Sequence, residues 1–596
     1  MSTATEHRSP TTVSQPAGGA TRRQRGWWLA TGLVALLTTI VFTWPLALHP
    51  GSIWKASLRD PRWQQAPYLA QYAVNDGLQT MFIQTQVLGD LRHLREPFLD
   101  LGEGAAGPAP LRTTSLDTPW VVLTALAWPL FGLVAAYNLM LLLGAALTVV
   151  TATGLFRRHT RWPLLALAGG VAYAFVPYHV LQLGEHFNGV MWSAFPALAW
   201  SFEALLQRWR EGGRWRVPAA WLVAVAGTVA LSGEFHLTLY MIGLLGWLVL
   251  WSLAGAALAR RRPPWWPLAI ATGVAGLAGL YSLLSFRWAF RGGVTGGNGQ
   301  YGQVVAYAPT SLGALVRKLP GLGSEGFIYV GWPVAILAAA GFALALWRSR
   351  ARGYALLTPV LLLLTYGPTV GHLGDRVGLH GLDPYRFIFD TVPMLKLQRV
   401  SGRIMVLTAM LLVLLAVLAL DAVGGWLSAR RAWLPGAGAA LLLLGTLWLA
   451  SDYRVVGGSM LSSERDNQVV RLLARSGDRD GPFLGLPVLG QTHPENSRST
   501  YLAAQSRRSV LNAYNQTTAP WLEARNRQLA PLNGGKVTAG ALEALRASGT
   551  RQVVVIDERN YYEPGEPRTV AARLVASGHF SLVVEDGPFT LLRFTG

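Results

Sequence analysis

Apolar runs of close to bilayer length recur between residues 27 and 451, separated by short polar breaks. A run of about 20 apolar residues crosses the hydrocarbon core as a helix, which satisfies its own backbone in lipid. The pattern predicts spans at 27–48, 135–156, 162–180, 189–207, 217–233, 236–257, 265–286, 328–347, 354–367, 404–426 and 433–451, about eleven in all. Segment 118–134 is also apolar, but another apolar run follows it almost at once. It reads as a short re-entrant or interfacial helix on the outer face.

Between the first span and residue 118 lies a polar stretch, 49–118, which is long for a connection. It carries Asp60 and then Asn75-Asp76-Gly77. After Gly77, the residues Leu78, Met81, Phe82, Leu88, Leu91 and Leu94 recur at roughly helical spacing, with Gln79, Gln84, Gln86, Arg92 and Arg95 between them. This predicts a helix along the membrane surface with Asp76 at its N-terminus. A carboxylate there is favoured by the helix dipole, so Asp76 reads both as a cap and as a candidate catalytic acid.

From residue 452 the pattern changes. Segments 483–488, 509–514, 552–557, 581–585 and 589–594 read as short strands, and 519–529, 538–547 and 568–577 as helices. The chain therefore divides into a disordered basic N-terminus (1–26), a transmembrane domain (27–451) with its first external loop at 49–118, and a soluble α/β domain of about 145 residues (452–596). The fold class is mainly α, polytopic, with a C-terminal α/β domain.

Charge orients this arrangement. Arg22, Arg23 and Arg25 precede the first span. Arg157/Arg158/Arg161, Arg208/Arg210/Arg214/Arg216, Arg260/Arg261/Arg262, Arg348/Arg350/Arg352 and Arg430/Arg431 then fall in alternate loops, which with the N-terminal arginines makes about nineteen basic residues against about two acidic ones. That asymmetry places the N-terminus in the cytoplasm of a multi-pass plasma-membrane protein. An odd number of spans then puts the C-terminal domain outside the cell. Asp421, near the cytoplasmic end of its span, reads as a residue that helps end that helix.

Composition excludes several classes. With 51% hydrophobic and 14% charged residues in 596, and a mean hydropathy of +0.31, the chain is too apolar for a soluble enzyme. The net charge of +20 is spread over the loop clusters, and no nucleic-acid-binding motif accompanies it. The absence of cysteine rules out disulfides and thiolate metal sites.

With this orientation the external segments gather most carboxylates and histidines outside the C-terminal domain. They include Asp60, Asp76, Asp90, His93, Asp100 and Asp117, then Glu185 and His186, then Glu234 and His236. Glu325, His372, Asp375, His380, Asp383, Asp390, Arg399 and Arg403 follow. Ionisable groups at the ends of membrane helices are functional candidates, although polar loops also carry charges that are merely solvated. Glu185 and Glu234 stand out because each sits in a short turn near a histidine. Arg399 and Arg403, four residues apart at the entrance of a span, suit the headgroup phosphate of a lipid, since a guanidinium donates two parallel hydrogen bonds.

The order of motifs resembles polytopic glycosyltransferases of the GT-C superfamily, in particular YfhO-like bacterial membrane proteins. The resembling elements are Asn75-Asp76-Gly77, Ala136-Tyr137-Asn138-Leu139, Ala172-Tyr173-Ala174-Phe175-Val176-Pro177-Tyr178, Gly184-Glu185-His186-Phe187-Asn188, Gly323-Ser324-Glu325-Gly326-Phe327-Ile328-Tyr329-Val330-Gly331 and Arg399-Val400-Ser401-Gly402-Arg403. The resemblance implies an inverting transferase that takes a sugar from a polyprenyl-phosphate donor on the outer face of the plasma membrane. The acceptor would be an envelope glycan, lipid or protein. It gives the role of base to Asp76, with Asp60 as a second acid at looser spacing. Glu185, His186, Glu234, His236, Glu325, Arg399 and Arg403 become substrate-binding candidates. Some members of the superfamily bind a divalent cation, but no tight ligand motif is present here, and the cofactor stays open. Two other readings stand beside this one. A transporter or lipid flippase would show internal repeats and midplane charges, and a non-catalytic assembly factor would keep the frame without the chemistry.

Overall fold

The computed structural model describes residues 17–44, 46–48, 85, 118–185, 191–232, 235–289, 295–296, 305, 308–309, 311–317, 328–347, 351–371, 383–391, 400–428, 436–437, 440, 443–445, 467–476, 481–489, 497–512, 517–518, 520–557 and 566–596. The surface helix expected after Gly77, with Asp60 and Asp76, lies outside these residues, as does most of the span expected at 433–451.

The membrane part is helical. Its elements are α1 (Ala17–Phe42), α2 (Thr118–Phe131), α3 (Leu133–Phe156), α4 (Pro163–Ala174), α5 (Pro177–Glu185), α6 (Ala194–Arg210), α7 (Arg216–Leu231), α8 (Phe235–Leu258) and α9 (Trp265–Ala289). A two-residue strand β1 (Thr295–Gly296) follows, then α10 (Trp332–Trp347), α11 (Arg352–Tyr366), α12 (Pro384–Thr391) and α13 (Met405–Ser428). Among the described residues five helices are long and apolar enough to cross a membrane, namely those containing Gln24–Phe42, Leu133–Phe156, Phe235–Leu258, Trp265–Leu284 and Ser401–Trp426. Shorter apolar helices, including α4, α7, α10 and α11, accompany them.

One expected span is two helices. The apolar run at 162–180 breaks after Ala174, and α5 restarts at Pro177. Proline has no N–H to continue the ladder and its ring clashes with the carbonyl four residues back, whereas at the start of a helix neither matters.

The bundle is organised around α13, of whose apolar window 94% is buried. Helices α3, α4, α10 and α11 pack around it. The approach of α10 is close because Gly341 meets the backbone of Leu415, where any Cβ would collide with the carbonyl. Gly170 of α4 meets Val149 and Thr153 of α3 in the same way.

At the arginine-rich helix ends, polar ties replace apolar contact. Glu203 of α6 accepts from Arg158 Nε at 2.8 Å and from the Tyr354 hydroxyl at 2.7 Å, and pairs with His159 Nε2 at 2.9 Å. Asp421 accepts from Thr160 Oγ1 at 2.8 Å and from the Arg161 backbone N–H at 2.9 Å. Helix α13 runs on to Ser428, so Asp421 does not end it. The carboxylate instead satisfies the turn between α3 and α4, which a buried charge requires.

Helix α2 has 14 residues, roughly 21 Å at 1.5 Å per residue, and contains Pro129. Trp120 donates to Met191 Sδ at 2.8 Å, in the turn just before α6 and at the end of that helix remote from Arg208 and Arg210. Trp128 lies under the guanidinium of Arg507, 4.9 Å from its ring centre.

The C-terminal domain contains α14 (Gln468–Ser476), β2 (Phe483–Leu486), α15 (Ser497–Ser506), β3 (Thr517–Thr518), α16 (Pro520–Leu529), α17 (Ala539–Ala547), β4 (Gln552–Ile556), α18 (Glu566–Ala576), β5 (Phe580–Asp586) and β6 (Phe589–Phe594). Its sheet has the order β2-β4-β6-β5, with β2 parallel to β4 and the other pairs antiparallel. Central β4 is buried throughout, and one face of the sheet supplies Val553, Val555 and Leu592 to a core with Leu545, Val570 and Leu574. Of the strand expected at 509–514, residues 509–512 are described, and among them it is reduced to a single bridge between Val510 and Phe483. Asn512 turns its side chain onto Gly485 and so takes the place of further ladder bonds. Outside this sheet, β1 pairs antiparallel with β3, with Thr295 opposite Thr518 and Gly296 opposite Thr517.

Glu203→Gln removes the charge shared by Arg158 and His159 and lowers stability by about 2 kcal/mol. Tyr354→Phe, which leaves the charge paired, lowers it by about 1 kcal/mol. The thermal unfolding midpoint of the detergent-solubilised protein reads both, with the larger fall for Glu203→Gln.

Candidate functional site

At the helix ends remote from the arginine clusters, a pocket of about 310 Å³, open mouth included, is lined by Tyr178, Gln182, Trp192, His236, Leu237, Arg403 and Val406. Each lining residue is placed by a local feature of the chain. Pro177 starts α5 afresh, and the spacing of Tyr178 and Gln182 by four residues puts both on one face of it. His236 stands in the first turn of α8, edge-on to Tyr240 with ring centres 5.8 Å apart. Arg403 lies in the 3₁₀ turn Ser401–Ile404 that leads into α13, and Val406 follows on that helix.

Beneath the pocket, aromatic rings form a layer. His179 stacks on Trp192 with ring centres 4.0 Å apart and an angle of 19°. Tyr173 meets His179 edge-on at 4.7 Å, and Tyr173 also donates to the Val406 carbonyl at 3.2 Å. The His179 ring is fully buried beside the backbone of Tyr173 and Ala174, and among the described residues neither of its nitrogens makes a well-formed hydrogen bond. His179 thus acts as a plate in the stack.

The structure brings together two of the residues singled out from the sequence, His236 and Arg403. The other candidates, Asp60, Asp76, His186, Glu234, Glu325 and Arg399, lie outside the described residues, and of Glu185 only the backbone, at the end of α5, is described. Other ionisable residues between the apolar helices have structural duties. Asp383 accepts from the Arg386 backbone N–H at 3.0 Å and caps α12, and Asp390 pairs with Arg386 at 3.7 Å. In the same helix burial, then the neighbouring Asp383, pushes the Tyr385 phenol well above its usual range.

Sequence reasoning did not single out Tyr178, Gln182 or Trp192 as site residues. The available signal was the proline restart followed by a tyrosine and a glutamine one turn apart. Trp192 gave none, since a tryptophan at the end of a span reads as an interfacial anchor. Among the described residues, no group of three histidine or carboxylate side chains is placed to hold a metal ion.

A pocket with a flat aromatic floor, one guanidinium, one imidazole and one amide suits a ligand that carries both a phosphate and a hydroxylated ring. The architecture around it can be compared with solved structures. The oligosaccharyltransferase of Archaeoglobus fulgidus, tethered to an acceptor peptide containing the NVT sequon, matches with a TM-score of 0.51 at 12% identity, over 94% of this chain and 74% of its own. The chain has the GT-C fold. The archaeal enzyme AglB, with an inhibitory peptide and a dolichol-phosphate, gives a TM-score of 0.49 at 12% identity, over 95% of this chain and 74% of its own. ArnT from Cupriavidus metallidurans, bound to undecaprenyl phosphate, gives 0.44 at 13% identity, over 95% of this chain and 98% of its own. The likeness is one of fold and rests on the first superposition. No protein-family model and no curated protein sequence matches the chain.

His179→Phe keeps the stack and removes a buried polar ring with no partner, so it raises stability by about 1 kcal/mol. A thermal unfolding midpoint several degrees below the wild type would show that the imidazole has a polar partner after all.

Proposed function

We propose that the protein transfers a sugar from a polyprenyl-phosphate donor to an envelope acceptor on the outer face of the plasma membrane. The observation that supports this reading most is the meeting of Arg403 and His236 over an aromatic floor, at the helix ends opposite the arginine clusters. The orientation rests on those clusters in the sequence. An outward site is remote from cytosolic nucleotide sugars and open to a donor carried in the bilayer.

In the proposed reaction an acceptor hydroxyl attacks the anomeric carbon as the bond from that carbon to the phosphate oxygen breaks. The electron pair leaves on the lipid phosphate, whose growing charge the Arg403 guanidinium meets with charge-assisted hydrogen bonds. The hydroxyl proton goes to Asp76, the general base that the family resemblance implies. One in-line displacement inverts the anomeric centre. The sugar ring rests on Trp192 and Tyr178, with Gln182 and His236 within reach of its hydroxyls.

Two variants separate the roles. Asp76→Asn lowers turnover by about 10²–10⁴-fold, the usual contribution of a general base, and leaves the unfolding midpoint unchanged. Arg403→Ala raises the KM for a lipid-linked sugar by about tenfold or more, and Arg403→Lys recovers part of the loss. Both are measured as labelled product formed by the protein reconstituted in vesicles. Full transfer by Asp76→Asn would remove its role as base, and movement of labelled donor across the vesicle without covalent transfer would favour a transporter.

A further inference from the structure

The C-terminal domain holds an arginine whose hydrogen-bonding capacity its own fold leaves largely unmet. Arg525 lies in α16 and is 8% exposed. Its guanidinium stands 5.4 Å from the ring centre of Trp521, which is itself 39% exposed. Nη2 donates to the Leu511 carbonyl, whereas Nε and Nη1 are buried without a hydrogen-bond partner. Among the described residues that leaves at least three of its five N–H donors unmet. The next side chain is in the complementary state. Asn526 Oδ1 is a buried acceptor with no donor, while Nδ2 donates to the Leu489 carbonyl at 3.2 Å. Burial alone pushes the Arg525 guanidinium down to about 10, and no carboxylate influence accompanies it. It keeps its charge at neutral pH, and a buried cation with no counter-charge is strongly unfavourable.

The surroundings are rigid and specific. The chain leaving β2 is held by two further asparagines. Asn512 accepts from the Gly485 N–H at 3.0 Å and donates to its carbonyl at 2.7 Å. Asn533 accepts from the Val488 N–H at 2.7 Å and donates to its carbonyl at 2.8 Å. Residues 485–489 are thereby fixed at the carboxyl end of β2, which runs parallel to β4. The second deeply buried arginine, Arg508, makes a contrast. Its Nη1 and Nη2 donate to the Leu473 and Gly481 carbonyls and to Gln552 Oε1, and it ties the fold together.

We infer that Arg525, Asn526 and Trp521 form a binding site for a hydroxylated oxyanion, such as a uronate or a sugar phosphate, at the carboxyl end of β2. The anionic group takes the Nε–H and Nη1–H donors of Arg525. A neighbouring hydroxyl donates to Asn526 Oδ1. The Trp521 ring holds the guanidinium flat and offers the ligand a partly exposed apolar wall.

The test is a titration of the full-length protein in detergent at constant ionic strength, followed by its unfolding midpoint, with glucuronate, inorganic phosphate and neutral glucose in separate arms. The wild type shows a saturable rise with glucuronate, with phosphate or with both, and none with glucose. The stronger response tells a carboxylate from a phosphate ligand. Arg525→Met loses the saturable rise and is at least as stable as the wild type without added anion, since it sheds an unpaired buried charge. Any unsaturable rise common to both proteins is the general salting effect of such anions. Should Arg525→Met not fold, Arg525→Lys decides, because the charge stays and the planar fork is lost, so half-saturation shifts upward by at least about tenfold. A wild type with no saturable response to either anion overturns the inference. So does an Arg525→Met protein that keeps the response, or an Arg525→Lys protein with unchanged half-saturation.

Discussion

The membrane part is organised around one helix that has no free side from Met405 to Ala419. Helix α13 is apolar around its whole circumference, and such a helix is stable in a polytopic protein as the centre about which others pack. Neighbouring helices gain little from hydrophobicity alone in lipid, so close fit carries the association. Gly341 supplies that fit where α10 meets the Leu415 backbone. The same helix has a polar group near each end, with Arg403 in the turn that opens it and Asp421 one turn and more before it closes. One buried column thus fixes both the pocket and the tie at the opposite end.

The division of labour between the two ends follows from their chemistry. At the arginine-rich end Glu203 and Asp421 are each met by several donors from other helices or turns, which locks helix ends together. At the other end, aromatic planes provide the rigidity through the stack of Tyr173, His179 and Trp192. A stack holds shape without using up hydrogen-bonding groups, and the polar side chains of Gln182, His236 and Arg403 stand on the pocket wall above it.

Much of this was legible in the sequence, and the reasons differ by residue. Helices such as 133–156 and 235–258 follow from runs of apolar residues, which lipid enforces on any sequence. His236 and Arg403 could be picked out because an ionisable residue at the mouth of an apolar helix stands out against its neighbours. Tyr178 and Trp192 could not, because aromatic residues at such positions serve as anchors as often as they line sites. The break before Pro177 was hidden inside an apolar run whose hydropathy does not register it. The described part of the strand expected at 509–514 is short for a different reason, since Asn512 answers the backbone of Gly485 with a side chain that no periodicity reveals. Asp76 was prominent in sequence and lies outside the described residues, so its role rests on the chemistry of the proposed reaction.

The short pairing of β1 with β3 carries a consequence for how the molecule is made. Thr295 leaves the ribosome long before Thr518, its partner across the ladder. At the usual pace of synthesis the interval is on the order of ten seconds or more. Throughout that time the segment following α9 has no strand to pair with, while α10 to α13 are still being inserted. Closure of this contact is therefore a late event in biogenesis. A chain that stalls in translation before residue 517 would hold its membrane helices yet lack this clasp to the C-terminal domain.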